Sequence, residues 1–153
     1  MARRRKPLMI LMADDDQDDC LLVKEAFIES RYPHKLHFVS DGEELLDYLN
    51  HQGKYEELTH TSNPDLILLD LNMPKKDGRE ALGEIKSDQR LRTIPIIVLT
   101  TSKEEEDILR SYDLGASSFI TKPVTFEGLV EAMRSIGRYW FEIVELPPEK
   151  EAS

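Results

Sequence analysis

The chain has one cysteine, one tryptophan and four histidines. Cys20 therefore has no disulfide partner within the chain. It sits in a helical pattern, which predicts a small core or half-buried residue in a reducing compartment. One cysteine and four scattered histidines leave no ligand set of the zinc type. Long apolar runs are also missing: the stretch Leu8 to Ala13 falls far short of the roughly 20 residues a membrane-spanning helix needs. That stretch follows Arg3-Arg4-Arg5-Lys6 and so imitates an export signal, but it runs into Asp14-Asp15-Asp16 with no small-residue cleavage site. Positive charge is in short supply: 20 basic against 30 acidic side chains give a net charge of −10, the wrong sign for binding nucleic-acid phosphates. No G-x-G-x-x-G follows the first apolar run, and acids stand where a nucleotide's phosphates would lie. What remains is a cytoplasmic protein with neither a membrane nor a nucleic acid as partner.

What is present is enough for one domain: 153 residues, 40% of them apolar. Two periodicities alternate along the chain. Leu8 to Ala13 reads as a buried strand, and Gln17 to Ser30 as a helix with Asp18 and Asp19 in its first turn. Leu36 to Val39 reads as a strand and Asp41 to Asn50 as a helix. Leu66 to Leu69, continuously apolar, reads as a central strand. Gly78 to Ser87 is helical, Ile94 to Leu99 a β-branched strand, and Lys103 to Tyr112 a helix that stops at Gly115. Ser118 to Thr121 is a short strand, and Thr125 to about Val144 a last long helix. Five rounds of strand then helix predict a three-layer α/β fold around a doubly wound, five-stranded parallel sheet. The polar connection from His51 to Asn63 is expected to be a mobile surface loop. Residues 1–7 form a solvated basic tail, residues 8–136 the folded domain, and residues 137–153 an extension, disordered from Pro147-Pro148 onward.

In an open sheet of this kind, ligands bind beyond the carboxyl ends of the strands. Asp14-Asp15-Asp16 follows the first strand, Asp70 and Leu71-Asn72-Met73-Pro74 the third, Thr100 the fourth and Lys122-Pro123 the fifth. Each alone has an ordinary reading: Asp15 or Asp16 as a helix N-cap, Thr100 as a structural hydroxyl, Lys122 as a surface amine. Together they put crowded carboxylates, a hydroxyl and an amine on one sheet edge. Crowded carboxylates call for a cation, and oxygen-only ligands suit Mg²⁺. A carboxylate beside such a metal and a lysine is arranged for phosphoryl transfer, with the carboxylate as nucleophile.

These residues, with the run Leu68-Leu69-Asp70-Leu71-Asn72-Met73-Pro74-Lys75-Lys76-Asp77-Gly78, resemble the receiver domain of two-component response regulators from about Leu8 to Met133. The resemblance implies the flavodoxin-like strand order 2-1-3-4-5. It implies that Asp70 accepts a phosphoryl group from a histidine kinase, with Thr100 and Lys122 binding that group. It implies Mg²⁺ held by Asp14, Asp15, Asp70 and the Asn72 carbonyl, Thr100 and Phe119 as the switch pair, and a cis bond before Pro123. The chain departs from the family's common pattern at Asp16-Gln17 and at Thr101. More narrowly, the long connection and the terminal Tyr139-Trp140-Phe141 to Pro148 resemble the stand-alone regulators of bacterial and cyanobacterial phytochrome kinases, a subfamily known for dimers.

The implied protein is not an enzyme beyond its own phosphorylation and dephosphorylation, and it acts by binding another protein or relaying the phosphoryl group. The competing reading is a Mg²⁺-dependent phosphatase of the haloacid dehalogenase type. That chemistry needs a general acid two residues after the nucleophile, where this chain has Asn72. Finally, Tyr139, Trp140, Phe141, Ile143, Val144 and Leu146 are too many apolar side chains for one helix face to bury. They are expected to form a homodimer interface.

Overall fold

The computed structural model describes residues 7–32, 34–58 and 63–148. The basic run at residues 3–6, part of the long connection at 59–62, and the end of the chain from residue 149 lie outside the described residues. Five strands, β1 (Met9–Ala13), β2 (Lys35–Val39), β3 (Leu66–Leu69), β4 (Ile96–Thr100) and β5 (Ser118–Thr121), alternate with five helices. The helices are α1 (Gln17–Ser30), α2 (Gly42–Asn50), α3 (Gly78–Ser87), α4 (Glu105–Asp113) and α5 (Phe126–Gly137). The strands form one parallel sheet in the order β2-β1-β3-β4-β5.

The two-residue period of the strands divides the core into two layers. Leu11, Ala13, Ile67, Leu69, Ile96 and Val98 face α2 and α3, where Leu45, Leu49, Leu82 and Ile85 meet them. Ile10, Met12, Leu66, Leu68, Ile97 and Leu99 face the other way, onto Val23, Phe27, Leu129, Met133 and Ile136 of α1 and α5. Four helices start where an Asp or Thr side chain accepts first-turn backbone N–H groups: Asp16, Asp41, Asp77 and Thr125. The departure at Asp16-Gln17 thus has a local cause, since Asp16 accepts from Asp18 N and Asp19 N. Helix α4 lacks such a cap and begins two residues later than the periodicity predicts.

Three expectations are corrected. Strand β4 begins at Ile96; Pro95 has no N–H to give the ladder. The polar connection is not simply a loop: Gly53–Leu58 forms a 3₁₀ turn that buries Tyr55. The Tyr55 hydroxyl donates to Glu44 Oε2 at 2.5 Å, and Lys54 pairs with the same oxygen at 2.8 Å. Burial alone would raise the Glu44 carboxyl, but Lys54, Tyr55 and the Ser40 N–H bring it down to about 2. Third, all peptide bonds among the described residues are trans, including the one before Pro123. The trans form is the less costly one even for X-Pro, by about 0.5–1 kcal/mol.

The last helix also changes character. It is α-helical to Gly137 and then widens into a π-helical turn over Arg138–Ile143, with Val144 N donating to Tyr139 O at 2.9 Å. A Cβ at Gly137 would lie 2.5 Å from the Tyr32 ring, so only glycine lets the helix end approach the α1–β2 turn. The turn brings Trp140, Phe141 and Leu146 against the α1/α5 layer of the core and leaves Tyr139 and Ile143 exposed. Phe141 closes an aromatic box around His34. Phe27 meets that ring edge-on at 5.3 Å, Tyr32 stacks on it at 5.6 Å, and Phe141 meets it edge-on at 5.8 Å.

Both ring nitrogens of His34 are buried without a hydrogen-bond partner, and burial lowers its pKa from 6.5 to about 4. A histidine lowered on folding is neutral in the native state while the unfolded chain takes up a proton. Its contribution to stability is therefore complete above pH 6.5 and is lost as pH falls from 6.5 toward 4. Urea unfolding across that range should show a His34-dependent slope of no more than about 1.4 kcal/mol per pH unit. His34→Phe should abolish this component. An unchanged slope in the variant would refute the assignment.

Candidate functional site

Strand register builds the site. Ala13 of β1 pairs with Leu69 of β3, so the residues that follow, Asp14 and Asp70, emerge side by side. Asp70 N donates to Ala13 O at 3.0 Å, fixing the acceptor loop to β1. Thr100 of β4 pairs with Thr121 of β5, and Lys122 N donates to Thr100 O at 2.7 Å. All four chemistry-bearing positions thereby meet at the carboxyl edge of the sheet.

The acceptor loop is held from behind. Gly78 N donates to Leu71 O and Gly42 N to Lys76 O, each at 2.9 Å. A Cβ at Gly78 would lie 2.2 Å from the Asp70 carbonyl oxygen, so the start of α3 packs directly on the backbone of Asp70. Lys75 takes a left-handed conformation at φ 63° to turn the chain back.

Asp14 and Asp70 are 3% and 7% exposed, and Thr100 is fully buried. Thr100 Oγ1 donates to Asp70 Oδ1 at 2.8 Å. Lys122 Nζ lies 2.6 Å from Asp14 Oδ2 and 3.8 Å from Asp70 Oδ2. Asp14 Oδ1 accepts from Asp16 N at 2.9 Å. Asp14, Asp15 and Asp70 each bring a carboxylate oxygen within 4.8 Å of the others, with Asp15 exposed at the mouth. Burial pushes the Asp14 carboxyl up, against the pull of Lys122 and the Asp16 N–H. Burial would pull Lys122 down, but its bonds to Asp14 and Asp19 outweigh this and hold the amine above its ordinary value. The site at rest is a charged lysine among carboxylates, one of which burial makes costly to keep ionised.

The donor set fits a hard divalent cation. Three carboxylate oxygens converge on one point, two of the three residues are buried, and no soft ligand intervenes. The half-buried Cys20 stays out of the chemistry. Its thiol is raised to about 12 by burial and by Asp14, and its Sγ lies 3.7 Å from Asp14 O. Asn72 is exposed at the rim, its N–H 3.4 Å from Asp70 Oδ1. Its amide side chain has no proton to give as a general acid, so the phosphatase reading gains nothing from the geometry. Phe119 is half-buried against the α2/α3 layer.

Two contributors escape sequence reasoning. Asp19 Oδ2 accepts from Lys122 Nζ at 2.8 Å. In sequence it passes for an ordinary first-turn acid, with no local signal to set it apart from Asp18. The other is a clamp: Arg79 donates to both oxygens of Asp107, at 2.9 and 2.8 Å, and Ser102 donates to Asp107 Oδ2 at 2.7 Å. It ties α3 to the first turn of α4 and to the loop after Thr100.

Comparison with known proteins agrees with this geometry. The family model of the response regulator receiver domain matches residues 10–134. Response regulator Rcp1 of Synechocystis sp. strain PCC 6803 is 42% identical over 141 residues, 92% of this chain and 94% of Rcp1. The crystal structure of the phosphorylated cyanobacterial phytochrome response regulator RcpA superposes with a TM-score of 0.86 at 43% identity, covering 94% of this chain and all of RcpA. The Mn²⁺-bound form of Rcp1 gives a TM-score of 0.83 at 42% identity, over 93% of this chain and all of that one. An acid-lined sheet edge of this geometry, inside a domain matched over nearly its whole length, places the chain in the response regulator receiver family, as a close relative of the phytochrome response regulators.

Proposed function

We propose that this chain accepts a phosphoryl group on Asp70 from a histidine kinase of the phytochrome type, with Mg²⁺ as cofactor. It then signals by changing the surface it offers another protein, or by relaying the phosphoryl group onward. The observation that carries this reading is the pair of neighbours on the Asp70 carboxylate: Thr100 on one oxygen at 2.8 Å and Lys122 3.8 Å from the other. RcpA is a cyanobacterial phytochrome response regulator whose crystal structure is of the phosphorylated form, and Rcp1 has a crystal structure in its Mn²⁺-bound form. Oxygen-only ligands favour Mg²⁺ in this chain. Among the described residues no helix is long and apolar enough to cross a membrane; the cytoplasmic setting is part of this proposal.

In the transfer, an Asp70 carboxylate oxygen attacks the phosphorus of a phosphohistidine. The new P–O bond forms as the P–N bond breaks, and the imidazole leaves with the electron pair. Bound Mg²⁺ would offset charge on the transferring oxygens. Lys122 stands close enough to Asp70 to pair with the phosphoryl group once it arrives. Thr100 donates its hydroxyl hydrogen bond to Asp70 Oδ1 at rest and turns it to a phosphoryl oxygen afterwards. The space it leaves lets Phe119 move inward, so the two residues switch together. Beyond gaining that phosphoryl group and then losing it or passing it on, the chain turns over no separate substrate in this reading.

Treatment with acetyl phosphate and Mg²⁺, followed by peptide mapping, should place a single phosphoryl group on Asp70. Asp70→Asn, nearly isosteric, should fold and not label. Label on Asp14 or Asp15, or steady release of phosphate from small monoesters, would overturn the reading.

Amide spectra of the phosphorylated protein should differ from the resting spectra at Thr100, at Phe119 and along β4–α4–β5. A ligand shifts an equilibrium only through its different affinity for two states. Changes confined to the surroundings of Asp70 would therefore defeat the switch.

The chain is also proposed to be a homodimer. Trp140, Phe141 and Leu146 pack on their own domain, and Val144 follows the turn. The dimer contact therefore falls to the exposed Tyr139 and Ile143, 50% and 57% accessible. The Tyr139→Asp, Ile143→Asp double variant should sediment as a monomer while keeping its fold. A dimer of unchanged strength would exclude this contact.

A further inference from the structure

At rest, both oxygens of Asp14 are engaged. Oδ1 accepts from Asp16 N at 2.9 Å, and Oδ2 accepts from Lys122 Nζ at 2.6 Å. Each oxygen keeps a second lone pair, but a divalent cation that takes Asp14 as a ligand repels the ammonium already held there. The Asp16 N–H belongs to the backbone turn that starts α1, with Asp16 itself serving as the helix cap, so it is the harder of the two to move. The lysine contact is the one that yields, and the question becomes where the amine goes.

Its other neighbours are Asp19 Oδ2 at 2.8 Å and Asp70 Oδ2 at 3.8 Å. Asp70 belongs to the same convergent carboxylate group as Asp14. Asp19 does not. Without Asp19, the amine would be left with two acceptors that the cation also needs, and a lysine whose side chain is only 10% exposed cannot simply turn to water.

We propose that Asp19 is a positioning residue for Lys122: it keeps the amine paired outside the metal cluster, so that lysine and cation do not compete for Asp14 and Asp70. This rests on the reading of the cluster as a divalent-cation site and assigns it an outer partner. Asp19 does not touch the metal; it acts through the lysine. The same grip sets the starting point from which Lys122 reaches a phosphoryl group on Asp70.

The test is calorimetric titration of the unphosphorylated full chain with Mg²⁺. Asp19→Asn keeps the shape and removes the charge, and it should weaken Mg²⁺ roughly tenfold, at the lower end of what loss of an outer-shell partner does to metal affinity. Asp18→Asn removes the same charge one position away, from an exposed side chain, and should cost less than about twofold, as expected for a screened surface charge. Asp19→Glu should restore most of the affinity. In a Lys122→Met background, adding Asp19→Asn should cost no more than adding Asp18→Asn, because the competing amine is gone. Equal losses for Asp19→Asn and Asp18→Asn, with wild-type binding intact, would overturn the role of Asp19 alone. A full Asp19→Asn loss that persists without Lys122 would overturn it too, showing a plain charge effect. A wild-type chain that binds no Mg²⁺ would remove the metal reading, and this proposal with it.

Discussion

The carboxyl edge of the sheet depends on one ion pair, Lys122 with Asp14 at 2.6 Å. Asp14 leaves a central strand, so its carboxylate has little water to solvate it, and its neighbour Asp70 carries the same charge. A buried carboxylate that loses its partner costs roughly 3–5 kcal/mol. Lys122 therefore serves the resting fold before it serves any chemistry: it is the cation that lets the acids stand together. A divalent metal offers the same acids more charge and better geometry. Such a metal would stand where the amine's charge stands, which accounts for a lysine just after β5 lying within reach of an aspartate just after β1. Parallel register, with β3 and β4 between them, holds that distance.

The sheet edge was legible in the sequence because each of its groups follows directly on an apolar run. Asp14, Asp70, Thr100 and Lys122 mark the ends of β1, β3, β4 and β5, and in a parallel sheet those ends coincide. Asp16 was legible as a cap for a similar reason, since short oxygen-bearing side chains before helical periodicity have few other uses; the structure gives Asp41, Asp77 and Thr125 the same role. Groups whose role arises only in three dimensions were not legible. Asp19 satisfies the dipole of α1 as any first-turn acid does, and nothing local separates it from Asp18. Arg79 and Asp107 lie in different helices, and only the packing of α3 beside α4 brings them together.

The connection from His51 and the end of α5 show the same limit from the apolar side. A polar stretch predicts a loop, but Tyr55 within it is buried, anchored by Glu44 and flanked by Tyr48 and His37. Past Gly137, the crowd of aromatic residues predicts more apolar surface than one α-helical face can bury. The π-helical turn resolves much of this by rotating Trp140 and Phe141 toward the domain. Gly137 permits the close approach to Tyr32 on which that packing relies. Intrachain packing thus accounts for three of the six apolar tail residues, and Tyr139 and Ile143 stay exposed.

Mobility follows from the distribution of these anchors. Strands β1, β3 and β4 are buried on both faces, and α1 and α5 cover one of them with a continuous apolar layer. Helix α4 buries only Ser111, lacks a side-chain cap and leaves Leu109 exposed. It is held at its first turn by the Arg79–Asp107 clamp, which Ser102 shares. Regions with few buried apolar contacts open at the lowest free energy. The residue two positions before Ser102 is Thr100, bonded to Asp70. Any event that draws the Thr100 hydroxyl off Asp70 Oδ1 therefore acts on the loop that leads into the least anchored helix of the domain. Polar contacts, which can exchange partners, hold that helix in place of an apolar layer that would have to be torn open. The fold thus keeps its rigid packing beneath the acids and its adjustable contacts on the β4–α4 side, which lets a change at one carboxylate reach the surface.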